Sequence, residues 1–264
     1  MFPFLTLGPW RISTYYLVAI AALLAGAPWI FYRLRKLNRP PITAAMAMFL
    51  TFIGGFAGSA LTTALINALH VASGGSLAAQ EQLSMSRAVM CGIAVAAALC
   101  WKYRVSLGRA LDLAAPPVLL GLAIARIGCF ANGCCYGQPT DSWLGMFLPN
   151  LAGLWERRYP TQLMSAAANL AIFGLLVAVE RYGMRRRACE TGAKENGWPF
   201  DGFIALLGIA LYSLKRFSIA FLREGGIVPI LGPLSLLHLE ALAGLAIAAV
   251  LIGINFYRMK KEAT

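Results

Sequence analysis

The sequence predicts an all-α integral membrane protein with seven transmembrane helices, an external N-terminus and a cytoplasmic C-terminus. Of its 264 residues, 59% are hydrophobic and 13% are charged, whereas soluble domains have about 45–50% apolar and about 25% charged residues. The mean hydropathy is +0.68, and the positive charges fall in clusters between apolar runs. These observations exclude a soluble globular protein and a disordered one.

Seven apolar segments account for most of the chain. A membrane span needs about 20 residues, and each should be helical because the hydrocarbon offers no partner for a free backbone group. The alternating pattern of a membrane barrel is absent. We expect a single membrane domain over residues 1–264 with spans at about 12–32, 42–69, 83–101, 110–131, 162–180, 200–222 and 229–256.

Positive charge indicates the orientation of these spans. Basic residues follow the first, third and fifth spans and also form the C-terminal tail. These four places hold 15 of the 23 Lys and Arg residues and lie on one side of a seven-span chain. The positive-inside rule makes that side cytoplasmic. The net charge of +12 thus describes topology and not a nucleic-acid partner. We find no nucleotide loop and expect no cofactor.

Eight basic residues lie outside these four places, and four of them are candidates for a functional site. Arg126 lies near the end of the fourth span, and Lys215, Arg216 and Arg223 lie in or at the end of the sixth. Both spans run outward, so these residues gather toward the outer leaflet. Arginine within a span is costly and is a candidate functional residue by default, and its planar fork suits phosphate. Snorkelling to the headgroup layer is the alternative.

A glycine-rich loop follows Arg126. It reads RIGCFANGCCYGQPT at positions 126–140. Its glycines, which include Gly133 and Gly137, permit tight turns and a close approach of the backbone to a ligand. Asn132 and Tyr136 add hydrogen-bonding groups. An ordinary glycine-rich turn is the alternative interpretation.

This loop resembles the signature of bacterial prolipoprotein diacylglyceryl transferases, which usually reads like G-R-x-G-N-F-x-N-G-E-x-x-G-R. Two further elements resemble that family: RYPTQL at 158–163 is similar to its H-P-(S/T)-Q-L-Y-E, and RFSIAFLRE at 216–224 is similar to its R-F-x-x-E-F-x-R-E. The start of the chain, Trp10 to Ile20, resembles the first span of the family, with Tyr15 at its functional tyrosine.

The resemblance implies a bacterial inner-membrane enzyme whose site faces the outer side. It would transfer the diacylglyceryl group of phosphatidylglycerol, or a similar anionic phospholipid, to a lipobox cysteine of a secreted precursor and release glycerol phosphate. By resemblance, Arg126 and Arg216 would hold the phosphate and Arg223 would support it. Asn132, Gly133 and Gly137 would shape the loop, and Tyr15 would line the cavity.

The chain departs from the family pattern where polar groups are expected. The family's H-G-G motif is absent, and its histidine falls at Ser86 or Met90. Another histidine is replaced by Tyr159. The positions of one asparagine and two glutamates are taken by Cys129, Cys134 and Ala220. A related enzyme with another acceptor, and a lipid- or lipoprotein-binding protein without turnover, are therefore rival hypotheses; a transporter is a weaker one, because the halves share no repeat.

The role of the cysteine cluster has four interpretations; the cluster consists of Cys129, Cys134 and Cys135. A cysteine near Arg126 could be a nucleophile with a lowered pKa, and we include Cys129 and Cys134 among the candidate catalytic residues. The three could instead form a disulfide, hold a metal through a weak C-x4-C-C spacing, or be inert packing residues. His70, His238 and Glu240 are weaker candidates for a replacement base.

Overall fold

A computed structural model describes residues 4–7, 10–35, 41–72, 85–149, 153–191, 199–224, 229–231 and 234–262. Within these residues seven helices run in chain order; one short antiparallel hairpin precedes the first helix, and two more lie between later helices. The helices are α1 (Thr14–Leu34), α2 (Pro41–Ala72), α3 (Met85–Lys102), α4 (Leu107–Asn132), α5 (Thr161–Thr191), α6 (Phe203–Ala220) and α7 (Leu236–Glu262).

Five helical segments in the described chain are long and apolar enough to cross a membrane. They are Ala45–Leu65, Leu107–Asn132, Thr161–Arg186, Phe203–Ala220 and Leu237–Glu262, and two shorter apolar helices are Ile20–Leu34 and Met90–Lys102. This confirms the predicted all-α, multi-pass membrane protein. The count of seven spans, the orientation and the single membrane domain stay predictions.

The hairpins correct two of the predicted helix starts. They pair β1 (Phe4–Leu7) with β2 (Trp10–Ser13), β3 (Met146–Pro149) with β4 (Trp155–Arg158), and β5 (Pro229–Leu231) with β6 (Leu234–Ser235). The first helix therefore begins at Thr14, and the seventh begins at Leu236 instead of Pro229. Pro229 has no N–H to donate within a helix, which favours the extended backbone there.

The chain forms two compact units, residues 31–110 and residues 1–30 with 111–264. In the smaller unit α2 and α3 pack closely through small residues. A Cβ added at Gly54 would lie 2.8 Å from Val95 Cγ2, and one added at Gly58 would lie 2.7 Å from Cys91 Cβ. Small residues four positions apart are typical of closely packed membrane helices.

The larger unit holds a buried core of Leu119, Ile172, Leu176 and Ile204, contributed by α4, α5 and α6. A buried carboxylate fixes the start of α6. Asp112 Oδ2 accepts from the Gly202 N–H at 2.7 Å, and Oδ1 accepts from the Ala205 N–H at 2.8 Å. These groups have no partner within the helix, so a residue 90 positions away supplies the cap.

Candidate active site

A cationic cavity lies in the larger unit, where the end of α4, the loop that follows it, the start of α5, the end of α6 and the start of α7 meet. Its lining residues are Arg126, Cys135, Thr161, Ser165, Lys215, Arg216, Ile219, Ala220, Arg223 and Leu237. The four candidate cations, out of the eight that topology leaves unexplained, therefore meet in one place. Apolar side chains from α6 and α7 complete the wall.

The cations of the cavity have different partners. Arg216 Nη2 lies 2.8 Å from Glu240 Oε2, Lys215 Nζ lies 4.0 Å from the centre of the Tyr212 ring, and Arg126 interacts with the Tyr212 hydroxyl. Within the described chain, no carboxylate forms an ion pair with Arg126, Lys215 or Arg223. Described carboxylates therefore pair with only one of the four cations of the cavity, Arg216.

The glycine-rich loop begins with a sharp helix end. Gly133 has φ 74°, its N–H donates to Phe130 O at 3.2 Å, and the Cys134 N–H donates to Cys129 O at 3.1 Å. This is the hydrogen-bond pattern of a Schellman motif, which favours glycine at the left-handed position. Cys135 also has a positive φ, 63°, which turns the chain toward the cavity.

Gly137 joins the three sequence elements that carry the family resemblance. Its N–H donates to Tyr159 O at 2.9 Å, and the next residue, Gln138, donates to Leu222 O at 2.8 Å. A Cβ at this position would lie 2.5 Å from Tyr159 O and 2.7 Å from Leu222 O. Only glycine fits between these two carbonyls, so Gly137 holds the loop against the segments that bear Arg158 and Arg223.

Two side chains at the start of α5 hold the loop through hydrogen bonds to its backbone carbonyls. Gln162 Nε2 donates to Cys134 O at 2.8 Å, and Thr161 Oγ1 donates to Cys135 O at 2.7 Å. Both residues are buried. Neither residue was predicted as part of the site, although both lie inside the RYPTQL element. Their partners are 26 and 28 residues away in the chain, which local spacing does not reveal.

Arg158 is a buried cation outside the cavity. It is 2% exposed, forms ion pairs with Glu156 and Glu224, and lies 5.2 Å from the centre of the Tyr136 ring. Buried charges are retained where they are paired in this way. Arg158 therefore clamps the loop to the chain beyond α6, a role that was not predicted from the sequence.

The three clustered cysteines lie together beside the cavity. Their Sγ atoms are all within 4.8 Å of one another, and these three cysteines, like Cys91 and Cys100, are free thiols. Arg223 Nη2 lies 3.2 Å from Cys135 Sγ. Hydrogen bonds from the thiols of Cys129 and Cys134, and then the charges of Arg223 and Arg126, lower the pKa of Cys135. Cys135 lines the cavity, whereas Cys129 and Cys134 do not.

The other predicted residues lie in different settings. Asn132 is the last residue of α4 and interacts with Cys134 rather than with the cavity. Tyr15 is in the first turn of α1, but its side chain, like those of His70 and Ser86, lies outside the described residues. Met90 is 71% exposed on α3, and Tyr159 serves the loop through its backbone carbonyl.

His238 is placed as a structural residue. Its Nδ1 accepts from the Ser235 N–H at 3.1 Å and lies 2.8 Å from Ser235 Oγ. The ring is 1% exposed and packs against Phe217 and Phe221. Since Nδ1 already accepts, Nε2 carries the proton in the neutral ring. His238 is therefore not a free base for an acceptor.

The sequence profile of the prolipoprotein diacylglyceryl transferases matches residues 3–258 of this chain. The chain belongs to this family. A relative from Dehalococcoides mccartyi is 26% identical over 97% of this chain and 93% of its own length. One from Rickettsia africae is 30% identical over 83% and 82%, and one from Clostridium perfringens is 32% identical over 57% and 54%. All three carry the name phosphatidylglycerol–prolipoprotein diacylglyceryl transferase, the last with the number 2.

Membership in the diacylglyceryl transferase family makes the protein a transferase by class. The glycine-rich loop, the RYPTQL element and the RFSIAFLRE element are separate along the chain. The backbone hydrogen bonds of residues 137–138 to residues 159 and 222 now join them.

Proposed function

We propose that the protein transfers the diacylglyceryl group of phosphatidylglycerol to the cysteine thiol of a lipobox precursor. The observation that carries this proposal is the cavity with four cations. Like charges held close together in a half-buried site repel one another strongly. An anion bound among them removes that repulsion, and a phosphate ester offers several oxygens to the arginine forks.

The walls of the cavity favour an amphiphilic donor. Ile219, Ala220 and Leu237 provide apolar surface beside the cations. Ala220 stands where the family's element has a glutamate, so the cavity lacks a carboxylate there and is more positive. An anionic phospholipid combines the matching parts, a charged head and apolar chains.

The proposed step is a single displacement. The acceptor thiolate forms a bond to the terminal glyceryl carbon of the diacylglyceryl group, the bond from that carbon to the phosphate oxygen breaks, and glycerol phosphate leaves. Negative charge develops on the leaving oxygen. Arg126 and Arg216 would stabilise it, with support from Arg223, because fixed cations in a site of low dielectric need no reorganisation.

The loss of the family's histidine is compatible with this step. A thiol reacts as its thiolate, and nearby cations lower its pKa. Cys135 shows this effect beside Arg223 and Arg126, in addition to its thiol hydrogen bonds. An acceptor thiol bound in the same field would release its proton to water. Asn132, Gly133 and Gly137 would hold the loop that shapes this field, and Tyr15 would line the donor's path.

The topology proposed with this function has seven spans within one membrane domain. The N-terminus is external, the C-terminus is cytoplasmic, and the cavity opens toward the outer side of a bacterial inner membrane. The positive-inside distribution of charge supports this orientation. An accessibility test with a membrane-impermeant thiol reagent on single cysteines placed in the loops checks it.

A mass-spectrometric transfer assay tests the proposed function. Purified protein in phosphatidylglycerol bilayers is incubated with a synthetic lipobox peptide, and a peptide with Ser in place of the cysteine is the substrate control. We expect a diacylglyceryl mass gain on the cysteine peptide only. Arg216→Ala should abolish it, and Arg181→Ala, which removes an exposed cation of α5, should not.

Two results would overturn this proposal in different ways. Gain on the serine peptide or on another acceptor would indicate a related transferase with a changed acceptor. Retention of phosphatidylglycerol without any transfer would indicate a lipid-binding protein that lacks turnover. Cys129 and Cys134 act in the reaction only if Cys129→Ser or Cys134→Ser lowers the rate and a lipid adduct on the protein is trapped.

A further inference from the structure

The three-thiol cluster is built on a fixed backbone. Cys129 is in the last turn of α4, and the Schellman hydrogen bond from Cys134 N–H to Cys129 O brings the next two cysteines back over it. Thr161 and Gln162 hold the carbonyls of Cys135 and Cys134. These backbone contacts fix the positions of the three Cα atoms, and rotation about each Cα–Cβ bond then adjusts the position of its sulfur.

The spacing of the sulfurs fits metal coordination. A metal bonded to three sulfurs at about 2.3 Å places them about 4 Å apart in a plane, and the three Sγ atoms already lie within 4.8 Å of one another. Small rotations about the Cα–Cβ bonds close the remaining gap. Thiolates are soft ligands that select Cu(I), zinc or iron–sulfur clusters.

The number of ligands and the surrounding charge discriminate among these metals. Structural zinc sites are almost always closed by four protein ligands, whereas the group found among the described residues has three. Three thiolates around a monovalent ion carry a net charge of −2. Arg223, at 3.2 Å from Cys135 Sγ, and Arg126, whose charge reaches the same thiol, stabilise that negative charge.

We propose that Cys129, Cys134 and Cys135 form a binding site for a soft monovalent metal ion, Cu(I), beside the cationic cavity. Binding forms three Cu–S bonds and releases the protons still held by the three thiols to solvent, and the oxidation state of the metal does not change. Cys135 is the ligand that reaches the cavity, so the bound ion lies at its edge.

A copper titration under anaerobic, reducing conditions tests this site. Metal-free protein competes for Cu(I) with a chromophoric chelator. We expect one equivalent to be retained by the wild type, and X-ray absorption should give three sulfurs at about 2.3 Å. Cys129→Ser and Cys135→Ser should each weaken binding by at least tenfold. Cys91→Ser and Cys100→Ser, which alter cysteines of α3, are the matched controls and should bind as the wild type does.

Three outcomes would overturn the site. These are no retention of Cu(I) by fully reduced wild type, equal binding by Cys135→Ser, or a stable disulfide between two of the three cysteines that reductant does not open. Tighter binding of Zn(II) with four ligands would overturn the assignment to a monovalent ion. The titration needs no turnover, so its failure is distinct from failure of the transfer assay in metal-free bilayers.

Discussion

Arg158 and the cations of the cavity are all positively charged side chains, but they differ in their partners. Arg158 is buried and is paired with Glu156 and Glu224, so its charge is neutralised within the protein. Arg126, Lys215 and Arg223 line a cavity, and no described carboxylate pairs with them. This difference indicates that Arg158 holds the loop in place, whereas the cavity cations are available to bind an external anion.

The largest effect that separates the two groups is expected at Arg126. Arg126→Ala should lower the transfer rate by about 100- to 1000-fold, the usual cost of removing one group that stabilises developing negative charge. The midpoint of thermal unfolding, Tm, should stay close to that of the wild type. Transfer kinetics measure the rate, and a thermal melting curve in detergent measures Tm. Arg181→Ala is the control, and a Tm loss as large as the rate loss would contradict the assignment.

Arg158→Ala should act on stability first. Removing it leaves two carboxylates without their buried partner, at a cost of about 3 kcal/mol in the free energy of unfolding, the low end for such pairs because both carboxylates are partly exposed. Thermal melting in detergent should show a clearly lower Tm. Arg157→Ala, which changes the exposed neighbour, is the matched control. Equal Tm values for both variants would show that the clamp is not needed.

Gly137→Ala should disturb the joint between loop and cavity. Its new Cβ would meet two backbone carbonyls at 2.5 and 2.7 Å, and such overpacking costs about 1–3 kcal/mol. Because the loop carries Cys135 into the cavity, both Tm and transfer rate should fall. Gly174→Ala, where a Cβ meets nothing within 4 Å, is the control. A Gly137→Ala variant with wild-type Tm would argue against the tight joint.

The smallest effect is expected at Glu240. Glu240→Gln keeps a hydrogen-bonding group near Arg216 but removes the charge that now pairs with it. Exposed pairs are worth about 0.2–1 kcal/mol, so binding of the anionic donor should tighten by a few-fold. A titration with short-chain phosphatidylglycerol measures this. Weaker binding would mean that Glu240 positions Arg216 for the donor instead of competing with it.

Part of this site could be predicted from the sequence. Arginines within apolar spans are costly, so they are easy to recognise as candidates. Counting residues along the predicted helical spans put Arg126, Arg216 and Arg223 at a similar depth. Long-range contacts could not be predicted. Thr161 and Gln162 donate to loop carbonyls that are 26 and 28 residues away in the chain. Asp112 caps α6 from 90 residues away. No local sequence pattern predicts contacts over such separations. The hairpin before α7 was hidden within an apolar run that suggested more helix.

The three cysteines show the same limit. Their C-x4-C-C spacing was a weak signal, because a linear pattern does not say where the chain turns. The helix end at Gly133 and the left-handed Cys135 bring the three sulfurs together. Backbone conformation, rather than residue order, decides whether such a pattern forms a site.

Lipid binding tests most directly the claim that the cavity cations hold the phosphate of an anionic phospholipid. Native mass spectrometry would count bound phosphatidylglycerol and zwitterionic phosphatidylcholine on the wild type, on Arg126→Ala and on Arg181→Ala. We predict one retained phosphatidylglycerol on the wild type and on Arg181→Ala, little on Arg126→Ala, and no comparable retention of phosphatidylcholine. Equal retention of both lipids, or undiminished phosphatidylglycerol on Arg126→Ala, would contradict the claim.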